Sequence, residues 1–251
     1  MNEEIKVKSL KKALDVLDCF TAKTPELGIT EISTQLDLYK SNVHNIIQTF
    51  EQCGYIEKNP DNNKYHLGMK ILELSYVINT SLGIHKIIHP FMSALSNEIN
   101  EIVYFAIPKE GRILYLEGTY PTTSYSARSM VGETAEMYCT SLGKAILAFL
   151  PLKQQEEAIA AQSMTSYTSS TIQTRQQLTE ELISIKERGY SLDNMEHEIG
   201  IRCIGVPVYK RDGNLIGAVS ISGPSPRITN DIVEIYADKL KACSREISKW
   251  L

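Results

Sequence analysis

Hydrophobic residues between positions 40 and 53 repeat with the period of an α-helix. The apolar residues stand at relative offsets of zero, three, four and seven, namely at Val43, Ile46, Ile47 and Phe50. This spacing places them on one face of a helix that begins near Lys40 and ends near Cys53. The other positions of this segment are mostly polar, so the pattern predicts a helix with one buried face and one face open to a partner.

Shorter elements flank this helix on both sides. Residues 30 to 36 predict a helix, with Thr30 as the capping residue of its first turn, and a turn follows from Asp37 to Tyr39. After the long helix, Tyr55 to Lys58 and Lys64 to Leu67 predict two strands joined by a cluster of turn-forming residues. Two helices followed by a hairpin are typical of a winged helix-turn-helix, which places its second helix in the major groove of DNA.

The exposed face of the long helix carries side chains that suit base recognition. Asn and Gln make paired hydrogen bonds to adenine edges, and lysines contact phosphates. We therefore expect double-stranded operator DNA as a partner. The residues expected to bind it are Lys40, Ser41, Asn42, His44, Asn45, Gln48, Lys58 and Lys64.

The charge of the N-terminal segment limits this expectation. Residues 1 to 68 hold eight lysines and no arginine against ten acidic residues. Phosphate neutralisation supplies much of the affinity for DNA, so binding requires clustered lysines and should be strongly salt-dependent. A small helical domain without a nucleic acid partner remains the alternative.

Two further helices are predicted beside the winged segment. Ser9 to about Phe20 repeats apolar residues, among them Leu10 and Leu14, at helical spacing, with Ser9 as N-cap, and is expected to pack under the recognition helix. Met69 to Leu82 is apolar on more than one side. This favours burial against a second subunit, with packing onto the rest of the same chain as the alternative.

From Ile84 onward, helices are mixed with strands. The pattern predicts a central antiparallel sheet flanked by helices, which makes the fold class α+β. The predicted helices are Ile84 to Ile99, Ser141 to Leu150, one capped by Thr174 and ended by Gly189, and one from about Thr229. The predicted strands are Ile102 to Ile107, Arg112 to Gly118, Tyr125 to Met130, Ile201 to Val208 and Leu215 to Ser222.

Length and composition indicate the number of domains and the cellular location. The chain has 251 residues, enough for two domains, and a net charge of −4 that says little about partners. Its five cysteines are widely spread, without a CxxC pair, which favours a reducing cytosol over a disulfide framework or a zinc knuckle. The N-terminus lacks an apolar signal core, so we expect a cytoplasmic protein with no membrane segment and no cofactor.

Several motifs between Ser9 and Arg227 together resemble the IclR family of transcriptional regulators. The recognition helix is similar to that of the family over Lys40 to Ile47, and residues 143 to 148 match its GKA(x)LA segment. Residues 188 to 208 resemble its most distinctive stretch, which here includes Arg188, Gly189 and Tyr190. Segments around Tyr125 and Tyr138 are closer to the sugar-acid-responsive members than to the glyoxylate regulators.

The resemblance implies that the chain has three segments and binds a small ligand. It implies a winged helix-turn-helix over residues 1–68, a linker helix over 69–83, and a GAF-like effector-binding domain over 84–251. Members typically form homodimers or homotetramers and bind a small metabolite that changes operator affinity. Carried over position by position, the family's effector pocket corresponds to Ala135, Ser141, Leu142, Asp193, Cys203, Ser220 and Ser222.

Physical reasoning about these pocket residues points to an anion. Ser220 and Ser222 stand two apart on a predicted strand, so their hydroxyls face the same side. Ser141 begins a predicted helix, whose free N–H groups attract negative charge. The alternatives are that the strand serines bond backbone, that Cys203 is a small buried apolar residue, and that Ser141 only caps its helix.

No catalytic or metal site is expected. Glu196, His197 and Glu198 are three consecutive charged residues in a loop, which usually form a solvated turn. No His or Cys cluster stands near them to complete a metal site, and a GxSxG motif is absent. The competing hypothesis is a metabolite-sensing module that acts through protein partners without binding DNA.

Overall fold

The computed structural model describes residues 5–121 and 129–251. The chain divides into two compact units, Met1–Leu82 and Gly83–Leu251. The first unit contains α1 (Lys8–Asp18), α2 (Ile29–Leu36), α3 (Lys40–Gln52), β1 (Ile56–Lys58), β2 (Tyr65–Leu67) and α4 (Lys70–Leu82). The predicted helix-turn-helix and hairpin are therefore present, within about one residue of the expected bounds.

The core of the first unit lies between α1, α2, α3 and the hairpin. Val43 and Ile47 of α3 are completely buried, as are Val16 of α1, Ile32 of α2 and Ile56 of β1. These residues belong to one contiguous apolar cluster, with Ile46 and Phe50 packed at its border. Burial of each such side chain contributes about 1.5–3 kcal/mol, so the apolar stripe predicted for α3 is what fixes this helix to its unit.

Both predicted N-caps in this unit are wrong. Helix α1 begins at Lys8 with Val7 as its N-cap, so Ser9 lies inside the helix. Helix α2 begins at Ile29, and Gly28 is its N-cap. The Glu31 carboxylate accepts a hydrogen bond of 2.6 Å from the Gly28 N–H, which is the acidic half of a capping box. Thr30 therefore lies two residues after the capping position, inside the helix.

The hairpin is fastened to the segment before α2. Strands β1 and β2 pair antiparallel, with Ile56 opposite Leu67. The Glu26 carboxylate accepts hydrogen bonds from Asn59 Nδ2 at 2.8 Å and Asn62 Nδ2 at 2.7 Å. These bonds hold the pKa of Glu26 below its ordinary value. The turn of the wing is thus tied to the loop that precedes α2.

Apolar side chains remain exposed on α1 and α4. Leu10 and Leu14 were expected to pack under α3, but they are exposed, and Val16 takes the core position instead. This is because Val16 and Cys19 lie on the face that meets the core. On α4, Leu72, Tyr76 and other large apolar residues are more than half exposed.

The second unit is an antiparallel sheet with helices on both faces. Its strands pair in the order β5-β4-β3-β8-β7-β6, and every pairing is antiparallel. This confirms the α+β fold class. Its elements are α5 (Ile84–Ile99), β3 (Ile102–Lys109), β4 (Arg112–Thr119), β5 (Thr134–Glu136), α6 (Ser141–Phe149), α7 (Leu152–Ala160), α8 (Arg175–Arg188), β6 (Ser191–Asn194), β7 (Ile201–Tyr209), β8 (Leu215–Pro224) and α9 (Asn230–Ser248).

Some of these elements were not predicted. Helix α7 and strand β6 are absent from the sequence prediction, and the strand beside β4 is β5. The predicted strand from Tyr125 to Met130 falls largely on residues 122–128, outside the described residues. The capping box of α8 is confirmed, since Thr174 Oγ1 accepts from Gln177 N at 3.2 Å, and Gly189 ends the helix with a φ of +78°.

The sheet separates two apolar clusters. One includes Val103, Phe105 and Val206 of the sheet with residues of α5 and α9. The other lies on the opposite face under α6 and α8. Helix α6 comes so close to the sheet that a Cβ on Gly205 would lie 2.6 Å from the Ser141 carbonyl oxygen. None of the helices described here is both long and apolar enough to cross a bilayer.

Candidate functional site

Helix α3 presents the predicted DNA-binding face to solvent. The side chains on this face are exposed at all the positions expected from the sequence: Lys40, Ser41, Asn42, His44, Asn45 and Gln48. Because Val43 and Ile47 are buried on the other side, the polar face has a fixed outward direction. The geometry suits insertion of one helix into a major groove, about 12 Å wide.

The two wing lysines differ in their surroundings. Lys58 is exposed, and its Nζ lies 5.9 Å from the centre of the Tyr65 ring. Lys64 is partly buried and its Nζ lies 2.9 Å from Glu31 Oε1. Lys58 is thus free to approach a phosphate, whereas Lys64 must leave or share an ion pair to do so.

One exposed aromatic residue beside α3 escaped the sequence analysis. Tyr39 is the N-cap residue of α3 and is 81% exposed. An aromatic side chain so open to water, immediately before a recognition helix, adds a candidate contact to the DNA-binding face. The signal was present in the sequence, because Tyr39 stands in the turn between the two helices.

In the second unit, three of the predicted effector residues form a row across the sheet. Asp193 of β6 pairs with Cys203 of β7, and Cys203 pairs with Ser222 of β8. Directly opposite residues of antiparallel strands share a face. The Cys203 Sγ donates to Ser222 Oγ at 3.2 Å. Ser220 lies two residues away on the same face, as its spacing predicted.

The other predicted effector residues lie outside this row. Ala135 lies on edge strand β5 opposite Ile113, and in strand order it is at the other edge from Asp193. It shares with Leu142 the apolar cluster under α6. Ser141 is buried, and it does not cap α6, because Thr140 Oγ1 accepts from Gly143 N at 3.2 Å. That interpretation of Ser141 was wrong.

Three tyrosines belong to or pack against the apolar cluster under α6. The sequence analysis did not predict them as site residues. The Tyr104 ring centre lies 5.4 Å from that of Tyr115 and 6.1 Å from that of Tyr120. Burial raises the pKa of Tyr104 and Tyr115. The neighbouring Tyr120 hydroxyl is the next cause for Tyr104, and Cys203 is the next cause for Tyr115. The Tyr120 hydroxyl is buried and, within the described residues, has no hydrogen-bond partner of normal geometry. Such a hydroxyl is available to a ligand.

Among the predicted effector residues, Asp193 has a carboxyl group whose pKa is strongly shifted. Burial raises its pKa to about 7, although the Glu196 N–H donates to its carboxylate at 2.7 Å. The pKa of the Cys203 thiol is raised by burial and then by Asp193. At neutral pH the Asp193 carboxyl is therefore partly protonated and can donate as well as accept a hydrogen bond.

Glu196 is not part of a solvated turn, which corrects the sequence interpretation. It is 6% exposed, and its Oε1 lies 2.5 Å from Lys144 Nζ in an ion pair. Lys144 Nζ also donates to the Leu192 carbonyl at 2.6 Å. This buried pair joins α6 to the loop after β6, and so explains the lysine in the GKA segment.

A solvent-open groove lies between α8, the segment before it and strand β6. It has a volume of about 770 Å³ and is lined mainly by polar residues of α8 and of the segment before it, with Lys144 and Glu196 among the lining residues. None of the predicted effector residues lines it. Its openness and mixed charges distinguish it from the enclosed, largely apolar clefts that hold small ligands.

A winged-helix unit with an exposed recognition helix, joined to a separate α+β unit, defines a DNA-binding regulator with a ligand-binding domain. The comparisons with known proteins identify the family. Residues 9–60 match the IclR helix-turn-helix domain, and residues 77–249 match the C-terminal domain of bacterial transcriptional regulator IclR. The chain belongs to the IclR family of transcriptional regulators.

Individual relatives agree with this assignment over the whole chain. The HTH-type transcriptional regulator XynR of Escherichia coli is 29% identical over 98% of this chain and 97% of its own length. The crystal structure of Thermotoga maritima IclR is 30% identical, with a TM-score of 0.75, and the match covers 97% of this chain and 98% of that one.

A further solved structure shares the fold. An IclR homologue from Microbacterium hydrocarbonoxydans, complexed with 4-hydroxybenzoate, has a TM-score of 0.82 at 21% identity. The match covers 96% of this chain and 98% of that one.

The Lys144–Glu196 pair should be essential to stability. Lys144→Met and Glu196→Gln are each expected to lower the free energy of unfolding by about 3 kcal/mol or more, because each leaves the buried charge of the other residue without its opposite charge. The double variant should lose less than the sum of the two single losses. Urea unfolding of the full-length protein measures these differences.

The exposed pair between Lys249 and Glu246 is the matched control. Lys249→Met is expected to change stability by less than about 0.5 kcal/mol, since exposed pairs contribute little. If Lys144→Met and Lys249→Met lowered the free energy of unfolding equally, burial would not be what makes the Lys144–Glu196 pair important.

Proposed function

We propose that this protein binds a specific operator through α3 and the wing, and that a small anionic metabolite in the α6 face of the second unit changes that binding. Membership of the IclR family supports DNA binding. The observation that carries the proposal is the continuous polar face of α3, exposed above the buried Val43 and Ile47. The expected cytoplasmic location stays a prediction.

Asn45 and Gln48 are proposed as base-reading residues of α3. Asn45→Ala and Gln48→Ala are each expected to weaken binding about tenfold, since a bidentate base contact contributes about 1–3 kcal/mol of discrimination. The probe is a duplex selected by the wild-type protein from a random-sequence library. Fluorescence anisotropy at fixed salt measures the affinity.

Gln52→Ala is the matched control, because Gln52 is also exposed and ends the same helix. It should leave affinity within about twofold, a difference of only a few tenths of a kcal/mol. If the wild-type protein enriches no sequence, or if the double Asn45/Gln48 variant binds as the wild type does, the metabolite-sensing module without DNA binding becomes the better interpretation.

The effector proposal follows from the chemistry of the row Asp193, Cys203 and Ser222. Donors for a carboxylate are available from the serine hydroxyls and from the buried hydroxyl of Tyr120. An anion close to Asp193 is tolerated only when that carboxyl is protonated, and burial supplies this condition near pH 7. The 4-hydroxybenzoate complex of the Microbacterium homologue supports a carboxylate as the ligand class.

An anionic effector is expected to bind more tightly as pH falls. The ligand's charge favours protonated Asp193, so binding takes up a proton, and affinity should rise about tenfold from pH 8 to pH 6 for a group of pKa about 7. Gluconate, galacturonate, pyruvate, glyoxylate and 4-hydroxybenzoate are the probes, first by thermal shift and then by calorimetry.

Asp193→Asn should remove most of this pH dependence, whereas Asp212→Asn, in an exposed turn, should not. The double variant Asp193→Ala with Ser222→Ala is expected to abolish the thermal shift. A full response in the double variant would reject this site. Affinity that rises with pH would indicate a neutral ligand that donates hydrogen bonds to an ionised Asp193.

We also propose that α4 pairs with a second copy of the chain. Leu72 and Tyr76 stand four residues apart on one face and are 67% and 69% exposed. An apolar face of this kind is unfavourable in water unless it is covered. A homodimer covers it, and two copies would present two recognition helices to two half-sites. A homotetramer would be a pair of such dimers.

The double variant Leu72→Glu with Tyr76→Glu should dissociate the dimer. Sedimentation at micromolar concentration is expected to give twice the 28.2 kDa chain mass for the wild type and one chain mass for the variant. Ile183→Glu, at a position of α8 that is 54% exposed, is the control and should remain dimeric. A wild-type monomer would contradict the proposal.

A further inference from the structure

Helix α5 and strand β4 bring two histidines and one carboxylate together. His85 and His89 stand four residues apart on the first turns of α5, and Glu117 lies on β4. Glu117 Oε2 lies 2.5 Å from His85 Nδ1, and Oε1 lies 3.0 Å from His89 Nδ1. Ligand atoms from all three residues lie within 4.8 Å of one another. One carboxylate oxygen therefore faces each imidazole ring.

The charge balance of this cluster is incomplete. Glu117 is 7% exposed, and a buried carboxylate costs free energy unless a cation or several hydrogen bonds compensate it. In the described part of the chain, the ion pairs of Glu117 are made with His85 and His89, not with a lysine or arginine. Imidazole carries a charge only when protonated, so within residues 5–121 and 129–251 no permanently charged side chain forms an ion pair with this carboxylate.

The cluster is separate from the proposed effector site. Helix α5 packs on the face of the sheet that carries Val103 and Phe105, whereas Tyr115 and Leu142 belong to the cluster under α6 on the other face. The two histidine side chains are 57% and 43% exposed. Water can therefore reach the cluster from outside without passing through the effector site.

We propose that His85, His89 and Glu117 bind one divalent transition-metal ion of the zinc type. Two imidazole nitrogens and one carboxylate oxygen form a ligand set that Zn²⁺ uses, with water in the remaining position. Histidines four apart on a helix point to one side and can share an ion. Mg²⁺ and Ca²⁺ prefer oxygen ligands throughout, so the two imidazoles select against them.

The bound ion supplies the missing positive charge and fastens the first turns of α5 to β4. In the free protein, the polar part of this connection consists of two hydrogen bonds to partly exposed rings, beside the apolar packing of α5 on the sheet. The inference goes beyond the proposed regulation by a metabolite and does not depend on it. The proposed role of the ion is to hold α5 against β4, and no chemical reaction is assigned to it.

Calorimetric titration of metal-stripped, full-length protein with zinc sulfate tests the site. The expected result is one ion per chain, together with a rise in melting temperature on zinc addition. His89→Gln and Glu117→Gln should each weaken zinc binding at least tenfold and abolish that rise. Cobalt substitution should give visible absorption bands in the wild type alone.

His44→Gln is the matched control, since His44 is exposed on α3, far along the chain from the cluster; it should bind zinc as the wild type does. His85→Gln alters the more exposed ring and serves as a second variant if Glu117→Gln fails to fold. Zinc binding that survives unchanged in the double His85/His89 variant would overturn the proposal. So would the absence of saturable binding below about 1 mM.

Discussion

Burial of Val43 and Ile47 is the interaction on which DNA recognition by this protein depends. Both side chains are fully enclosed by the other helices and the hairpin of the first unit. Their positions fix the rotation of α3 about its axis, and so determine that Asn42, Asn45 and Gln48 face outward. Residues 1–68 carry a net negative charge, so under the proposed function DNA binding depends on where a few polar and basic groups are placed more than on general attraction to DNA.

The second unit depends on a comparable constraint. Helix α6 lies directly against the sheet, where Gly205 leaves room for the Ser141 carbonyl, and Lys144 fastens the helix to Glu196. These contacts hold α6 over the row formed by Asp193, Cys203 and Ser222. Burial raises the pKa of the Asp193 carboxyl to about 7. Under the proposed function, the affinity of this row for an anion therefore depends on pH.

Periodic patterns predicted most of the fold, because each long helix and strand buries one regular face. The prediction failed where an element is short or its partner is distant in sequence. Strand β6 has four residues, and only pairing with β7 defines it. Glu196 was expected in solvent because its partner Lys144 lies 52 residues away. The tyrosine cluster and the set His85, His89 and Glu117 likewise require strand register, which a single sequence does not contain.

The most direct test of DNA recognition by α3 observes the side chains on its exposed face. In nuclear magnetic resonance spectra of the full-length protein, the side-chain amide signals of Asn42, Asn45 and Gln48 should shift when the selected duplex is added, while that of Gln52 should stay in place. Shifts confined to other residues, with these three amides unchanged under saturating duplex, would contradict recognition by the exposed face of α3.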